Sequence, residues 1–264
     1  MARPASKIPE VSEQRSDWIL MPHTLGDPAG ARVAVGLIAL ANDLTSEPEL
    51  ITFLPKDGVA LYTNRIPMAK VATVETLREM ERNITRTVEG LVPEDHLDVI
   101  AFGCTSGTMA IGPETVSARI HETKPGIHCT DPISAGLKGL KKQACTRIAL
   151  LTPYIDQVNA VVEDYVSQRG FDIVVKGSFK QKGDPQMCRI SPEAIYDAGL
   201  RLGREDVDGL FISCTALRVS PIIEKLEQAL GKPVVSSNQA LAWDCLRLAG
   251  YNDPVNGFGR LLTI

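Results

Sequence analysis

At 264 residues the chain is long enough for one sizeable core, or for two lobes of about 130 residues each. With 44% hydrophobic and 23% charged residues it has the composition of a folded globular protein, and a net charge of −4 gives nucleic acid or an anionic membrane no electrostatic grip. No apolar run approaches the roughly 20 residues of a membrane helix, and "MARPASKIPEVSEQRSDW" lacks the apolar stretch of a signal peptide. The expected address is the cytoplasm, where six cysteines are expected as thiols. None has CxxC or CxH spacing, and the four histidines form no ligand-like pattern with them, so no metal site is expected.

After a polar arm over 1–31, apolar runs alternate with helical patterns. "RVAVGLIAL" (32–40) is the first strand. In 73–91, Val74, Leu77, Met80, Ile84 and Val88 recur at helical spacing. "DVIAFG" (98–103) reads as a buried strand, 112–122 as a helix opened by Pro113, and "GIHCT" (126–130) as a short strand. "ISAGLKGLKKQ" (133–143) is a helix whose lysines suit its C-terminus. The pattern then restarts with strand "RIALLT" (147–152), a helix over 156–170 stopped by Gly170, strand "DIVVKG" (172–177) and the loop "SFKQKGDPQMCRI". "SPEAIYDAGLRLG" (191–203) begins as a capped helix; strand 209–213, helix 220–231, strand 233–237 and helix 239–250 follow.

Strands that are apolar throughout, separated by helices, predict parallel sheets covered on both faces. The restart predicts a duplication: Arg32-Val-Ala-Val answers Arg147-Ile-Ala-Leu, and Asp98 and Asp208 each stand six residues before a Cys-Thr pair. Two similar α/β lobes related by a pseudo-twofold are expected, over 32–145 and 146–238, with the last helical stretch, 239–264, packing back on the first. A single larger sheet is the alternative.

The Cys-Thr pairs lie in "FGCTSG" (102–107) and "ISCTAL" (212–217), each at the end of a buried strand. In open parallel sheets these ends face the ligand crevice, and the N–H groups of the following turn point into it. Such a position is expected to lower a thiol pKa, so Cys104 and Cys214 should alkylate ahead of Cys129, Cys145 and Cys245, which read as structural. Facing lobes would set Cys104 and Cys214 on opposite sides of one substrate, about 6–7 Å apart. One thiolate can then remove a proton beside a carboxylate while the opposite thiol returns one to the other face. Alternatively, one thiolate adds to an alkene carbon. Both routes load negative charge onto carboxylate oxygens, and Thr105, Ser106, Thr215 and the turn N–H groups stand where donors are required. The competing reading of each cysteine is core filler at a strand end. Cys188, in a loop expected to cover the cleft, reads as a bystander. "GFGRLL" (257–262) lacks the third glycine and βαβ setting of a nucleotide fingerprint, and no cofactor is expected.

From about residue 32 onward the chain resembles the aspartate/glutamate racemase superfamily, on the branch holding maleate cis-trans isomerase, arylmalonate decarboxylase and ectoine-utilisation protein A. The matching pieces are "GLIALANDLTSE", "FGCTSG", "RIALLTPYIDQVN", "ISCTAL", "PVVSSNQALAWDCLRLAG" and "GFGRLL". The resemblance implies two flavodoxin-like lobes with a cofactor-free active site between them. It implies that Cys104 is the first-lobe cysteine that the decarboxylase lacks, and Cys214 the second-lobe cysteine that all these enzymes use. Thr105 and Ser106 match carboxylate-binding hydroxyls, Thr215 a backbone donor, and Tyr154 a tyrosine that hydrogen-bonds the carboxylate; alone, Tyr154 would read as a strand cap. Where maleate isomerases carry Asn, this chain has Asp43, beside Asn42. An anionic Asp43 would repel a second carboxylate and accept an amine, unless it merely caps the next helix.

The resulting expectation is a two-cysteine isomerase or racemase acting next to a carboxylate on a small amino-acid derivative, of the ectoine-utilisation type. Asn42 or Asp43 would read the distal substituent. A homo-oligomer is expected, with no nucleic-acid or membrane partner. The rivals are a maleate isomerase, an aspartate/glutamate-type racemase, an arylmalonate-type decarboxylase, and a non-enzymatic ligand-binding protein on the same scaffold.

Overall fold

The structure is a computed structural model that describes residues 18, 19 and 21–264; most of the arm expected over 1–31 lies outside them. The first half contains β1 (Val33–Leu40), α1 (Ser46–Phe53), β2 (Val59–Ile66), α2 (Val74–Arg78), α3 (Glu81–Glu89), β3 (Val99–Phe102), α4 (Thr105–Ile111), α5 (Pro113–His121), β4 (His128–Thr130) and α6 (Pro132–Lys142). The second contains β5 (Arg147–Tyr154), α7 (Asp156–Ser167), β6 (Asp172–Gln181), α8 (Asp184–Met187), α9 (Pro192–Gly203), β7 (Gly209–Ile212), α10 (Ile223–Leu230), β8 (Val234–Ser236) and α11 (Ser237–Leu248).

The described residues form two four-stranded sheets, ordered β2-β1-β3-β4 and β6-β5-β7-β8, with every pair parallel. The second order repeats the first, position for position, as a duplicated α/β lobe requires. The two aspartates that marked the repeat do the same job in each copy. Asp98 accepts the Ala34 amide at 2.7 Å, and Asp208 accepts the Arg147 amide at 2.7 Å. Each carboxylate thereby holds the start of its lobe's central strand, at the end of the sheet away from the cysteines.

β1 is buried along its whole length, since helices cover both faces of a parallel sheet. The edge strand β2 escapes the sequence pattern for the opposite reason. It is half-buried at most positions, so "VALYTNRI" shows neither a continuous apolar run nor a clean alternation. The helix expected over 73–91 divides into α2 and α3, because the amides of Met80 and Asn83 bond three residues back and tighten the turn between them. Met80 is thereby turned inward beneath the Cys104 turn, where its Cε lies 2.5 Å from where a Cβ on Gly107 would stand.

The restart near residue 145 is a boundary of the repeat but not of the packing. α6 lies against β7 and β8 of the second sheet, α11 lies against β3 and β4 of the first, and the two helices pack on each other. Gly136 of α6 makes this crossing close, since a Cβ there would stand 2.7 Å from the Phe211 ring. The inward side chains of β1, Val33, Val35, Leu37 and Ala39, accordingly belong to one apolar core with the whole second lobe. Its other face, Ala34, Ile38 and Leu40, closes a separate core with α2, α3 and α5. No helix among the described residues is long and apolar enough to cross a membrane.

Candidate active site

β3 and β7 stop at matching points, and each is followed by one residue and then a cysteine. Cys104 caps α4, its sulfur accepting the Gly107 amide at 3.2 Å. Cys214 sits in the turn after β7, its sulfur accepting the Ala216 amide at 3.3 Å. Both are buried, and the two thiols interact electrostatically with each other, with Tyr154 and with Asp184. The two sulfurs, one from each lobe, therefore lie within electrostatic reach of one another, with Tyr154 and Asp184 beside them.

The threonines that follow them bind the lobes together. Thr215 donates from Oγ1 to the Gly103 carbonyl at 3.3 Å, and the hydroxyls of Thr105 and Ser237 pair at 3.1 Å. Asn238 donates from Nδ2 to the Thr215 carbonyl at 2.9 Å. The first turn of α11, held by a capping box between Ser236 and Gln239, thus grips both Cys-Thr turns. Ser106 lies beside Cys104, with its Oγ 3.9 Å from the sulfur.

Asp43 serves in two capacities. Its Oδ1 accepts the amides of Thr45 at 2.6 Å and Ser46 at 3.0 Å, which caps α1, while its Oδ2 is buried with no hydrogen-bond partner. Asn42 turns away toward the segment after β2, where its amide donates to the Ala69 carbonyl at 3.5 Å. Cys104, Cys214, Tyr154 and Asp43 thus lie within electrostatic reach of one another or of Asp184, and Ser106 lies beside Cys104. The Thr105 and Thr215 hydroxyls are engaged between the lobes, and the Asn42 amide is engaged by Ala69.

The family model described as "Arylmalonate decarboxylase" matches residues 48–262. The chain belongs to the arylmalonate decarboxylase family. The arylmalonate decarboxylase of Bordetella bronchiseptica is 34% identical over 139 residues, covering 52% of this chain and 58% of that enzyme. A maleate isomerase of Nocardia farcinica is 28% identical over 238 residues, 86% of this chain and 94% of the relative. The solved structure of the Nocardia farcinica maleate cis-trans isomerase bound to TRIS superposes with a TM-score of 0.79 at 25% identity, over 88% of this chain and 98% of that one. Maleate isomerases thus match the chain nearly end to end, in sequence and in fold.

Two features of this family member were not legible in its sequence. The first is the state of the sulfurs. The turn N–H groups and Ser106 do pull the Cys104 pKa down, but burial outweighs them, and with Asp184 it pushes the thiol up to about 12. Burial likewise pushes Cys214 well up, although the Tyr154 hydroxyl opposes it. The expectation of depressed thiol pKa values is thus overturned. Desolvation in a closed site disfavours the thiolate more strongly than one turn of oriented amides favours it.

The second is Asp184. It lies on α8, a single turn within the stretch expected to be a plain loop, and only 8% of it is exposed. The loop crosses from the second lobe onto the first: a Cβ on Gly183 would stand 2.9 Å from the Lys70 carbonyl, and Cys188 meets Thr45 and the backbone of Leu44. Burial, reinforced by Asp43, raises the Asp184 carboxyl to about 6. Its Oδ2, Ser213 Oγ and Asn238 Oδ1 are buried without a hydrogen-bond partner, and the Tyr154 hydroxyl has the Cys214 sulfur beside it. Nothing in "GDPQMCRI" marks Asp184 as more than a turn residue.

Proposed function

We propose that this enzyme uses Cys104 and Cys214 as an acid–base pair at a carbon next to a carboxylate, on a substrate that also carries an amine. The observation that supports this reading is the burial of two sulfurs from opposite lobes within electrostatic reach of each other. Either thiol, once deprotonated, takes the proton from the substrate carbon, and the electron pair left behind moves onto the carboxylate oxygens. The opposite thiol then delivers its own proton to the other face. The carbon ends inverted, and the thiol and thiolate have exchanged places.

The hydroxyls of Thr105 and Thr215 are already engaged across the lobes, so the backbone N–H groups of the two turns, with Ser106 and Tyr154, are assigned to the carboxylate. Asp43 supports the amine. Its free oxygen would repel a second carboxylate and would pair with an ammonium group. The raised thiol pKa values fit as well, because a cationic substrate entering the site supplies the charge that lets one thiol ionise. An isomer of a diaminobutyrate-type breakdown product of ectoine meets these demands. Six unpaired cysteines suit a reducing compartment such as the cytoplasm.

The full-length matches to maleate isomerases favour a second reading, cis-trans isomerisation of maleate. There one thiolate would form a C–S bond at an alkene carbon, the adjacent C–C bond would rotate, and the C–S bond would break again. The test is NMR in D2O with 2,4-diaminobutyrate, its N-acetyl derivatives, aspartate and maleate. Deuterium appearing at the carbon beside a carboxylate of an amine-bearing compound supports the proposal. Fumarate formed from maleate, without exchange in any amino acid, refutes it.

A further inference from the structure

We infer that Asp43 and Asp184 form a two-carboxylate clamp for a substrate ammonium group distal to the reacting carboxylate, one jaw on each lobe, with α8 carrying the second jaw. This rests on the reading that the substrate bears an amine, and adds where that amine binds and which residue selects for it.

The two carboxylates come from unrelated places in the chain. Asp43 follows β1 in the first lobe, and Asp184 opens α8 after the edge strand of the second. They come within electrostatic reach of each other because the 182–190 loop leaves its own sheet and packs on the first lobe at Lys70, Leu44 and Thr45. Each is more than nine-tenths buried, each has an Oδ2 with no hydrogen-bond partner, and each acts electrostatically on Cys104. Arg65 reaches the Asp43 carbonyl at 2.7 Å, but its guanidinium pairs with Glu47 rather than with either clamp carboxylate. Two buried like charges side by side are unfavourable unless a cation joins them. A protonated primary amine has three donors, enough to reach both free oxygens. A dicarboxylate offers neither the charge nor the donors. The clamp therefore selects substrates that carry an amine beyond the one on the reacting carbon.

The groups facing Asp184 are Asp43 from the β1–α1 turn, Cys104 from α4, Cys214 from the β7 turn, Tyr154 from β5 and Cys188 at the end of its own helix. Burial keeps the three thiols and the phenol protonated through neutrality. In this set Asp184, with its carboxyl at about 6, is the group whose ionisation between pH 5 and 7 changes the clamp.

The test compares wild type with Asp184→Asn by calorimetric titration at pH 7.5, using 2,4-diaminobutyrate and 2-aminobutyrate, which differ by the distal amine. Wild type should bind the diamine at least about tenfold tighter, and Asp184→Asn should shrink that preference to about threefold or less. The wild-type preference should also grow from pH 5 to 7, and the variant's should stay flat. A preference that the variant retains overturns the clamp, as does a wild type that binds neither compound or both alike. Should Asp184→Asn fail to fold, Asp43→Asn, which keeps its Oδ1 cap on α1, makes the same comparison. Failure here is distinct from failure of the isomerase reading, which is decided by deuterium exchange and not by the diamine preference.

Discussion

Ser220 donates its hydroxyl to Oε1 of Glu49 at 2.5 Å, joining the turn after Cys214 to the first helix of the opposite lobe. The same carboxylate accepts the amides of Val219 and Ser220, so one buried side chain fixes the segment that follows the second cysteine. Glu49→Gln keeps the volume but replaces one acceptor oxygen with a donor facing those amides. Urea denaturation should show a loss of about 1–3 kcal/mol. Turnover should fall more than ground-state binding, because the Cys214 turn is displaced while the Asp43 and Asp184 carboxylates stay.

Cys104→Ser and Cys214→Ser should each abolish isomerisation, by at least about a thousandfold, while leaving the fold intact. One of the two should still wash deuterium into a single enantiomer of the substrate, since a single remaining thiol can remove and return a proton on one face. Chiral chromatography combined with mass spectrometry reads both quantities. Exchange at equal rates from both enantiomers in either variant contradicts the two-face arrangement.

Tyr154→Phe separates function from stability. The hydroxyl is buried and its polar neighbour is the Cys214 sulfur, a weak partner, so its removal costs the fold little and should leave the melting temperature close to that of wild type. It also removes the group that favours the Cys214 thiolate, so turnover should drop about tenfold or more and its alkaline limb should move to higher pH.

In the free enzyme, iodoacetamide should label Cys129 ahead of Cys104 and Cys214, the reverse of the order expected from the strand-end positions. Cys129 is only half-buried, whereas both site thiols are closed off and held protonated. Mass spectrometry of peptides from a timed labelling at pH 8 gives the order. Early modification of Cys104 or Cys214 would show that the site opens readily without substrate.

The Asp184 carboxyl carries a stability cost at neutral pH. Its pKa rises from 3.8 to about 6 on folding, so the folded state binds the proton more tightly than the unfolded chain does. Its contribution to stability is therefore greatest below pH 3.8, falls as pH rises to about 6, and is flat above. Asp184→Asn should remove that slope and raise unfolding free energy at pH 7 by about 1–3 kcal/mol, while the diamine preference is lost. Urea titrations of both proteins at pH 5 and 7 measure it.

Gly107 lies within "FGCTSG", and its lack of a side chain is what lets the first cysteine turn close. A Cβ there would stand 2.8 Å from the Cys104 sulfur and 2.5 Å from Met80 Cε. Met80 can swing aside, but the sulfur can move only by leaving its amide.

The sequence by itself determined the parallel α/β lobes, the duplication and the pair of strand-end cysteines. These follow from local properties: apolar runs that need cover on both faces, caps that start helices, and an aspartate six residues ahead of each Cys-Thr turn. It did not determine β2, whose half-exposed edge position leaves no clear period, nor the exchange of α6 and α11 between sheets. It also gave no sign that Asp184 would meet Asp43, or that burial would reverse the expected thiol pKa values. Proximity and desolvation are properties of the assembled chain. Residues 43 and 184 have no relation along the sequence until a loop from one lobe lies across the other, and a thiol's field depends on everything that closes over it.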